Sequence, residues 1–206
     1  MSTRSNPKMS SEDRRKSILQ VAKELFARKG FLGVTTRELA GALGVTEPVL
    51  YEHFPSKRTL YDEILRAESK LQMAEFRKAI KPYEEARDDD GFFLQAGAFL
   101  MRQMERDPAK LRFLLQVLLE GGDAARHFYQ NQSLPTHQVL RQYIETRIAE
   151  GAFVPLDARV AARQFIAFVI YHNSMQQLLD DTFLDASSET VLREFVSTFL
   201  RGLRAH

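Results

Sequence analysis

Apolar residues recur three or four positions apart in one segment of the chain after another, which is the spacing of an α-helix. In the first of these segments they are Ile18, Leu19, Ala22, Leu25 and Phe26, and Gly30 follows as a helix end. Glycine, proline and acidic residues separate the segments, as they do where one helix stops and another starts. No segment alternates apolar and polar residues as a half-buried strand does. The sequence therefore predicts an all-α fold.

Composition narrows the class of protein. Hydrophobic residues make up 44% of the 206 residues, enough to form the core of one large or two small globular domains. Cysteine is absent, which excludes disulfides, thiolate zinc sites and thiol nucleophiles and is typical of a reducing cytoplasm. No apolar run approaches the ~20 residues of a membrane span, and the N-terminal residues lack the apolar core of a signal peptide. We expect a cytoplasmic protein that does not enter a membrane.

Charge is unevenly distributed along the chain. The net charge is +2, yet residues 1–60 hold eleven basic and six acidic residues. A basic end suits a polyanionic partner, although ordinary scatter of charged residues produces an asymmetry of this size equally well. Charge alone does not decide the function.

The segment VTEPVLYEHFPSK, residues 45–57, predicts a helix of only about two turns. Thr46 can cap its start, and Pro48 falls in the first turn, where its missing N–H has no helical partner. Leu50 and Phe54 are four residues apart and share the face that must be buried. The opposite face is a mixed surface of low charge, which we expect to point outward.

A second short helix precedes this segment and is joined to it through Gly44. Thr35 and Glu38 have the spacing of a capping box, so TTRELAGAL predicts a helix of its own. A helix, a tight glycine turn and a short helix near a basic N-terminus have the pattern of a helix-turn-helix. From Ser56, another potential cap, a long helix is expected as far as residue 80, where KPYEEARDDDG breaks it.

Residues 14–65 resemble the DNA-binding domain of TetR-family transcriptional regulators. After the first helix they carry, in the family's order, G-x-x-x-x-T-T from Gly30, L-A-x-x-L-G-V from Leu39 and H-F-x-S-K from His53. So long an ordered match is specific. In this family the third helix is laid in the DNA major groove, so the resemblance gives the short helix its expected role.

The resemblance implies DNA contacts for nine residues. Four match positions that hold phosphates: Thr36, Tyr51, His53 and Lys57. Five match positions at or near base edges: Arg37, Thr46, Glu47, Pro48 and Val49. Hydroxyl, phenol and ammonium groups donate hydrogen bonds to phosphate oxygens. In an arbitrary short helix, a tyrosine or histidine is more often a partly buried packing residue.

The residues matched to base edges have distinct chemistry. Arg37 can form a bidentate contact with guanine, and Pro48 or Val49 can meet a thymine methyl group. Glu47 has several roles open to it. Its carboxylate can accept a hydrogen bond from cytosine N4, cap its helix, or repel wrong operators where no donor faces it.

In this family a larger helical domain follows and usually holds a small-molecule pocket. The resemblance therefore implies an effector, which we expect to be apolar or amphipathic. The residues predicted to line its pocket are Phe92, Phe99, Met104, Phe113, Phe128, Tyr143, Phe168, Tyr171, His172 and Met175. Close packing in the core is the competing interpretation for each of them.

The last two predicted helices carry more apolar surface than one domain needs. The helix over residues 158–179 is apolar on two faces, and such a helix needs cover from beyond its own domain. In the TetR family this pair of helices forms a four-helix bundle between two subunits. We expect a homodimer whose interface draws on Phe165, Val169, Leu192, Phe195 and Phe199.

The predicted organisation has three parts: a flexible arm over residues 1–11, a helix-turn-helix domain over 12–57, and a helical ligand-binding and dimerisation domain over 58–206. The implied function is a repressor released from a palindromic double-stranded DNA operator by a small molecule. The alternative is a helical protein-interaction module of the same fold without operator or ligand switch. No Gly-rich phosphate loop, Gly-x-Ser-x-Gly motif or Glu-x-x-His pair is present, so we expect no enzyme, cofactor or metal site.

Overall fold

The computed structural model describes residues 11–106, 129–179 and 183–205, together with residues 108, 111, 115, 119, 121, 122 and 126. The α-helices bounded within these ranges are α1 (Ser11–Gly33), α2 (Thr36–Ala42), α3 (Glu47–His53), α4 (Lys57–Ala86), α5 (Asp89–Arg106), α6 (Leu134–Ala149), α7 (Ala158–Leu179) and α8 (Ser188–Leu203). A π-helical turn, Tyr129–Ser133, leads into α6. The predicted all-α fold is confirmed. Among the helices described, none has both the length and the apolar character needed to cross a membrane.

The chain packs as two compact units that divide within α4, the first ending at Glu68 and the second beginning at Ser69. The predicted boundary between residues 57 and 58 coincides with the start of α4. The first turns of α4 pack against α1, where the Tyr61 and Phe26 rings meet edge-on at a centroid distance of 4.8 Å. This contact explains why the beginning of α4 belongs with the first unit.

The core of the first unit consists of the apolar residues that recur at helical spacing. Six of the predicted residues are at most 5% exposed: Ile18, Ala22, Leu25, Phe26, Leu50 and Phe54. Leu19, in the same apolar pattern, is only partly buried. The backbone turns at Gly30 (φ 69°), which interrupts α1, and at Gly44 (φ 64°), between α2 and α3. Residues with a side chain rarely adopt these angles, so both glycines stand where the sequence predicts a turn.

Two of the three predicted helix caps form. The Thr35 hydroxyl accepts a hydrogen bond from the backbone N–H of Glu38 (3.1 Å), and the Ser56 hydroxyl accepts one from the first turn of α4 (3.0 Å). Thr46 occupies the N-cap position of α3 but makes no side-chain hydrogen bond to the helix. The capping prediction for Thr46 is wrong, and one physical reason is that Pro48, in the first turn, has no N–H to donate.

The helix α4 continues through Pro82 and ends at Ala86, so the predicted stop after residue 80 is wrong. The chain leaves the helix at Arg87, where φ is 57°. A proline inside a helix removes the hydrogen bond to the carbonyl four residues earlier. That carbonyl belongs to Lys78, and because Lys78 and Pro82 are both exposed, water can replace the missing donor.

The second unit has an aromatic core to which α5, α6, α7 and α8 contribute. The Phe92 and Tyr143 rings stack with their centroids 3.6 Å apart. Phe93 lies 5.2 Å from both Phe165 and Phe199, again between ring centroids. The helix α7 packs against α5 and α6, and its aromatic residues also meet α8. Both apolar faces of α7 are thus covered within the chain.

A buried carboxylate, that of Asp89, joins the start of α5 to α6. It accepts hydrogen bonds from the Tyr143 hydroxyl (2.6 Å) and from Arg147 Nε (2.8 Å) and Nη2 (3.1 Å). Burial and the hydrogen bond to Asp89 raise the pKa of Tyr143, and the same carboxylate raises the pKa of Arg147. Arg147 also pairs with Glu150, which pairs with Arg87 just after α4. These ion pairs therefore connect the end of α4, the start of α5 and the end of α6.

Residues at the end of α8 pair with the link between α6 and α7. The amide of Val154 donates a hydrogen bond to the carbonyl of Leu203 (2.8 Å), and the amide of Ala205 donates one to the carbonyl of Ala152 (3.0 Å). These two bonds form an isolated antiparallel β-bridge. The last described residues are thereby fixed to the body of the second unit.

Candidate DNA-binding site

The helices α2 and α3 form the helix-turn-helix of the first unit, and α3 is buried on one face only. Leu50 and Phe54, on and just after α3, are 2% and 1% exposed. Pro48 lies on the opposite, exposed side, and Tyr51 is 42% exposed. This outer face of α3 can meet a partner without disturbing the core.

The nine residues predicted to contact DNA fall into two groups by exposure. Four are exposed: Arg37, Thr46, Pro48 and Tyr51. Five are partly buried: Thr36, Glu47, Val49, His53 and Lys57. Within the second group, Thr36, Glu47 and Lys57 use side-chain atoms in hydrogen bonds inside the protein.

Side chains link the first residues of α2 and α3. Thr36 Oγ1 donates a hydrogen bond to Glu47 Oε2 over 3.0 Å. A threonine hydroxyl has a single hydrogen, so in this arrangement Thr36 has none left to donate to a phosphate oxygen. The Glu47 carboxylate in turn has a donor within the protein.

Lys57 connects the start of α4 to the end of α1. Its ammonium group donates hydrogen bonds to the carbonyl oxygens of Phe31 (2.9 Å) and Val34 (2.8 Å) and lies 4.3 Å from the centre of the Phe31 ring. Burial lowers the pKa of this group. A lysine has three N–H donors, so one remains for a phosphate oxygen. Sequence reasoning assigned Lys57 to DNA alone and missed its role within the unit.

Arg15 holds the C-terminal end of α3. Its Nη1 donates a hydrogen bond to the carbonyl oxygen of His53 (2.7 Å), its Nη2 pairs with Glu63 of α4, and its guanidinium lies 4.3 Å from the centre of the Phe54 ring. Sequence reasoning missed this residue. The available signal was its position three residues before Ile18, on the apolar face of α1, where a solvated charge is not expected.

A surface contact fixes the start of α2 against α1. Lys29 Nζ lies 2.5 Å from Glu38 Oε1, and this hydrogen bond lowers the pKa of Glu38. The predicted capping box is therefore half formed. Thr35 accepts from the Glu38 amide, while the Glu38 carboxylate binds Lys29.

The ten residues predicted to line an effector pocket occupy different environments. Three are buried, Phe92, Tyr143 and His172, and four are partly buried, Phe99, Met104, Phe168 and Met175. Tyr171 is 65% exposed. Phe113 and Phe128 lie outside the described residues. Phe92 and Tyr143 stack on each other in the core, so for these two the structure agrees with the competing interpretation.

A groove of about 600 Å³ lies in the second unit between α5 and α8. Its apolar lining includes Leu94, Ala98 and Leu192, and its lining also carries charges of both signs, among them Arg102 and Glu105. Its volume is within the range of small-molecule sites. Of the predicted pocket residues that the structure describes, none lines this groove. Within the same described ranges no group of acidic and histidine side chains is placed to hold a metal ion.

Three residues assigned to a dimer interface from the sequence are core residues of the single chain. Phe165 and Val169 are 0% exposed and Leu192 is 3% exposed, so they present no surface to a partner. Phe195 and Phe199 are partly buried, and each ring lies 5.6 Å from that of Phe165. At Phe165 and Val169 the cover expected from a partner is supplied by helices of the same chain.

Exposed apolar residues do occur on α7 and just beyond it, at other positions. They are Val160, Tyr171, Leu178, Leu179, Phe183 and Leu184, each at least 40% exposed. Phe183, at 89%, is the most exposed of these six. A partner that covers this surface would leave the core of the unit intact.

Two family models match the chain. Residues 18–64 match the model of bacterial regulatory proteins of the TetR family. Residues 101–204 match the model of the C-terminal domain of AefR-like transcriptional repressors. The first match contains α2 and α3, and the second takes in α6, α7 and α8.

The chain is also similar to individual regulatory proteins, in sequence and in fold. The tetracycline repressor protein class C of Escherichia coli is 34% identical over 130 aligned positions, covering 53% of this chain and 57% of that repressor. The nucleoid occlusion factor SlmA of Vibrio cholerae is 26% identical over 163 positions, covering 76% of this chain and 80% of SlmA. The crystal structure of AibR in complex with isovaleryl coenzyme A and operator DNA shares the fold, with a TM-score of 0.56 and 18% identity over 90% of this chain and 97% of AibR. The chain belongs to the TetR family of bacterial regulatory proteins, which are DNA-binding transcriptional regulators and not enzymes.

Proposed function

We propose that the protein is a sequence-specific repressor that binds a palindromic DNA operator through α3 and is released by an apolar or amphipathic small molecule. The observation that carries the DNA-binding part is the outer face of α3. Pro48 and Tyr51 are exposed there, and Arg37 is exposed on the neighbouring α2. The same helix is anchored from behind by Leu50 and Arg15.

Within this proposal, exposed side chains make the primary contacts. Tyr51 donates its phenol hydrogen to a phosphate oxygen, and His53 and the third donor of Lys57 add to the same backbone contact. Arg37 reads guanine, and Pro48 meets a thymine methyl group. Thr46 and Val49 lie at the same base edges.

Support for release by a small molecule comes from the second unit and from relatives. The groove between α5 and α8 has the volume of a ligand site and a lining of both apolar and charged side chains. The relatives include a tetracycline repressor, and AibR has been crystallised with both a coenzyme A thioester and operator DNA. An amphipathic effector fits a site with both kinds of lining.

A homodimer is proposed because α3, the helix placed against the bases, is short. One helix of seven residues reaches only a few base pairs, so an operator of useful length needs two copies of α3 placed about one turn of DNA apart, ~34–36 Å. We assign the contact between the two copies to the exposed apolar residues of α7, with Tyr171 and Leu179 as its test positions. A two-fold axis repeats the same patch on both subunits.

The alternative function is a protein-interaction module of the same fold that has neither operator nor ligand switch. The observation behind this alternative is a relative named as a nucleoid occlusion factor and not as a repressor. The two functions make different predictions for a purified protein mixed with fragmented genomic DNA.

Selection of bound genomic fragments tests the proposal. The repressor should enrich fragments that share an inverted repeat, and its affinity for that repeat should fall steeply as salt rises. The matched control carries Arg37→Ala and Tyr51→Ala, two changes at exposed positions that leave the core untouched, and it should lose the enrichment. Fragments without a shared sequence, or equal enrichment by the control, would contradict sequence-specific binding and leave the alternative.

A further inference from the structure

The hydrogen bond between Thr36 and Glu47 joins the two helices of the helix-turn-helix at their first residues. Thr36 Oγ1 and Glu47 Oε2 are 3.0 Å apart, and both residues are partly buried. Eleven residues separate them in sequence. Among the described residues Glu47 has no ion pair with a basic side chain, so the threonine hydroxyl is its specific partner.

This bond limits where the Glu47 carboxylate can point. A glutamate side chain has three rotatable bonds, and beside the phosphates of DNA a free carboxylate would turn away into solvent. Thr36 holds Oε2, which leaves Oε1 as an unoccupied acceptor at the start of α3. A carboxylate accepts hydrogen bonds and cannot donate them, so among base edges only the amino groups of cytosine N4 and adenine N6 can donate to Oε1, and adenine places its acceptor N7 beside that amino group.

We infer that Thr36 is a positioning residue for sequence recognition: it orients the Glu47 carboxylate so that its free oxygen accepts a hydrogen bond from cytosine N4 in the major groove. The inference rests on the proposed operator binding. It gives Thr36 a role that acts through Glu47, in place of the direct phosphate contact that the family resemblance implies. Guanine and thymine present acceptors at the same place, so they leave the carboxylate without a donor and are disfavoured.

The neighbouring carboxylate shows why the role falls to Glu47. Glu38 lies on α2, close to Thr36 in sequence, but its carboxylate is bound by Lys29, which places a full positive charge beside it. From the side chains that the structure describes, Glu47 receives only the neutral hydroxyl hydrogen of Thr36. It therefore keeps its negative charge uncompensated and retains its ability to discriminate between donors and acceptors on DNA.

Selection of binding sites from random DNA tests the inference with four proteins: the wild type, Glu47→Gln, Thr36→Val and Thr36→Ser. The wild type should require cytosine at one position of each half-site, with a preference on the order of ten-fold. Glu47→Gln should shift that position toward adenine. Thr36→Val should lose the preference at this position alone, and Thr36→Ser, which keeps the hydroxyl, should retain it.

A double variant separates positioning from a merely structural link. Once Glu47→Gln has removed the carboxylate, adding Thr36→Val should change the cytosine preference no further, even if the melting temperature falls. If Thr36→Val weakens binding equally for all sequences, Thr36 contacts phosphate and the inference is overturned. If Glu47→Gln selects the same site as the wild type, the inference is overturned and the proposed function stands. If the wild type selects no shared sequence, the proposed function is refuted as well.

Discussion

The ammonium group of Lys57 lies 2.8 Å from the carbonyl oxygen of Val34, so the first residue of α4 is bonded to the segment that leads into α2. The same group binds the carbonyl of Phe31. A residue matched by the family resemblance to DNA phosphate therefore also determines how the DNA-binding unit is assembled. Substitution at this position has two separable consequences, one for binding and one for stability.

Lys57→Met should reduce both the stability of the first unit and its affinity for DNA. The two carbonyl oxygens lose their donor, which should lower the free energy of unfolding by about 1–3 kcal/mol. Operator affinity should fall equally for all sequences, and the slope of log affinity against log salt should flatten by roughly 0.9 for the lost phosphate contact. Lys78→Met, at an exposed position of α4 in the second unit, is the control. A less stable variant whose salt slope parallels the wild type would restrict Lys57 to its structural role.

Tyr51→Phe and Arg37→Ala should affect DNA binding differently, the first its overall affinity and the second its sequence preference. Removing the phenol hydroxyl should weaken binding to every sequence alike, because the phosphate backbone is the same throughout. Removing the Arg37 guanidinium should relax preference at one base pair per half-site by about 1–3 kcal/mol. Selected-site sequencing together with affinity measurements distinguishes them. If Arg37→Ala selects the same binding site as the wild type, Arg37 does not contact a base edge.

The main helices of the first unit could be predicted because their apolar spacing, glycines and most of their caps are local features. The contacts of Arg15 and Lys57 could not, since they join residues 38 and 26 positions apart, and no local pattern specifies which carbonyl a basic side chain will meet. Their effect on the site is nevertheless direct. They hold α3 and α4 in the arrangement from which the predicted contacts extend.

The second unit shows a different limit of prediction from the sequence. The two apolar faces of α7 predicted cover from beyond its own domain, but a hydrophobic pattern does not identify which element supplies that cover. Phe165 and Val169 are covered by the chain itself, which moves the expected interface to other residues. Pro82 is a comparable case, because whether a proline ends a helix depends on the solvent around it and not on its identity alone.

Tyr171→Glu combined with Leu179→Glu should yield monomers. Both residues are exposed, at 65% and 67%, so the core survives while a buried charge opposes association. The variant should bind a single half-site weakly and lose tight binding to the full inverted repeat. The control is Leu71→Glu, at an equally exposed position of α4 (69%). Light scattering decides the matter: a wild-type monomer that binds its full operator tightly would show that this surface has another purpose.

An effector should raise the melting temperature while lowering operator affinity. Binding to the folded protein stabilises it, and linkage requires that a ligand which favours one spacing of the two α3 helices disfavours DNA bound to the other. A thermal-shift screen of apolar and amphipathic compounds, followed by operator titration with each stabiliser, measures both effects. Stabilisers that never alter operator affinity would mean that the second unit binds ligands without controlling DNA binding.

Asp89→Ala should destabilise the second unit by about 3–5 kcal/mol, because it leaves the largely buried Arg147 guanidinium without its principal counter-charge. Asp90→Ala is the matched control. Asp90 pairs with Arg204 at the surface, where both side chains are more than 40% exposed, so its loss should cost less than about 1 kcal/mol. Urea denaturation of both variants measures the difference, and equal losses would contradict a special role for the buried carboxylate.

The bridge between the end of α8 and the link from α6 to α7 changes how the C-terminal end of the chain can open. Chain ends usually fray before the rest of a domain. Here the amide of Val154 donates to the carbonyl of Leu203 and the amide of Ala205 to that of Ala152, so neither can exchange its hydrogen with solvent until the two segments separate. Removing the few residues after α8 would therefore loosen a loop far upstream in the sequence, and deuterium uptake would rise at both places together.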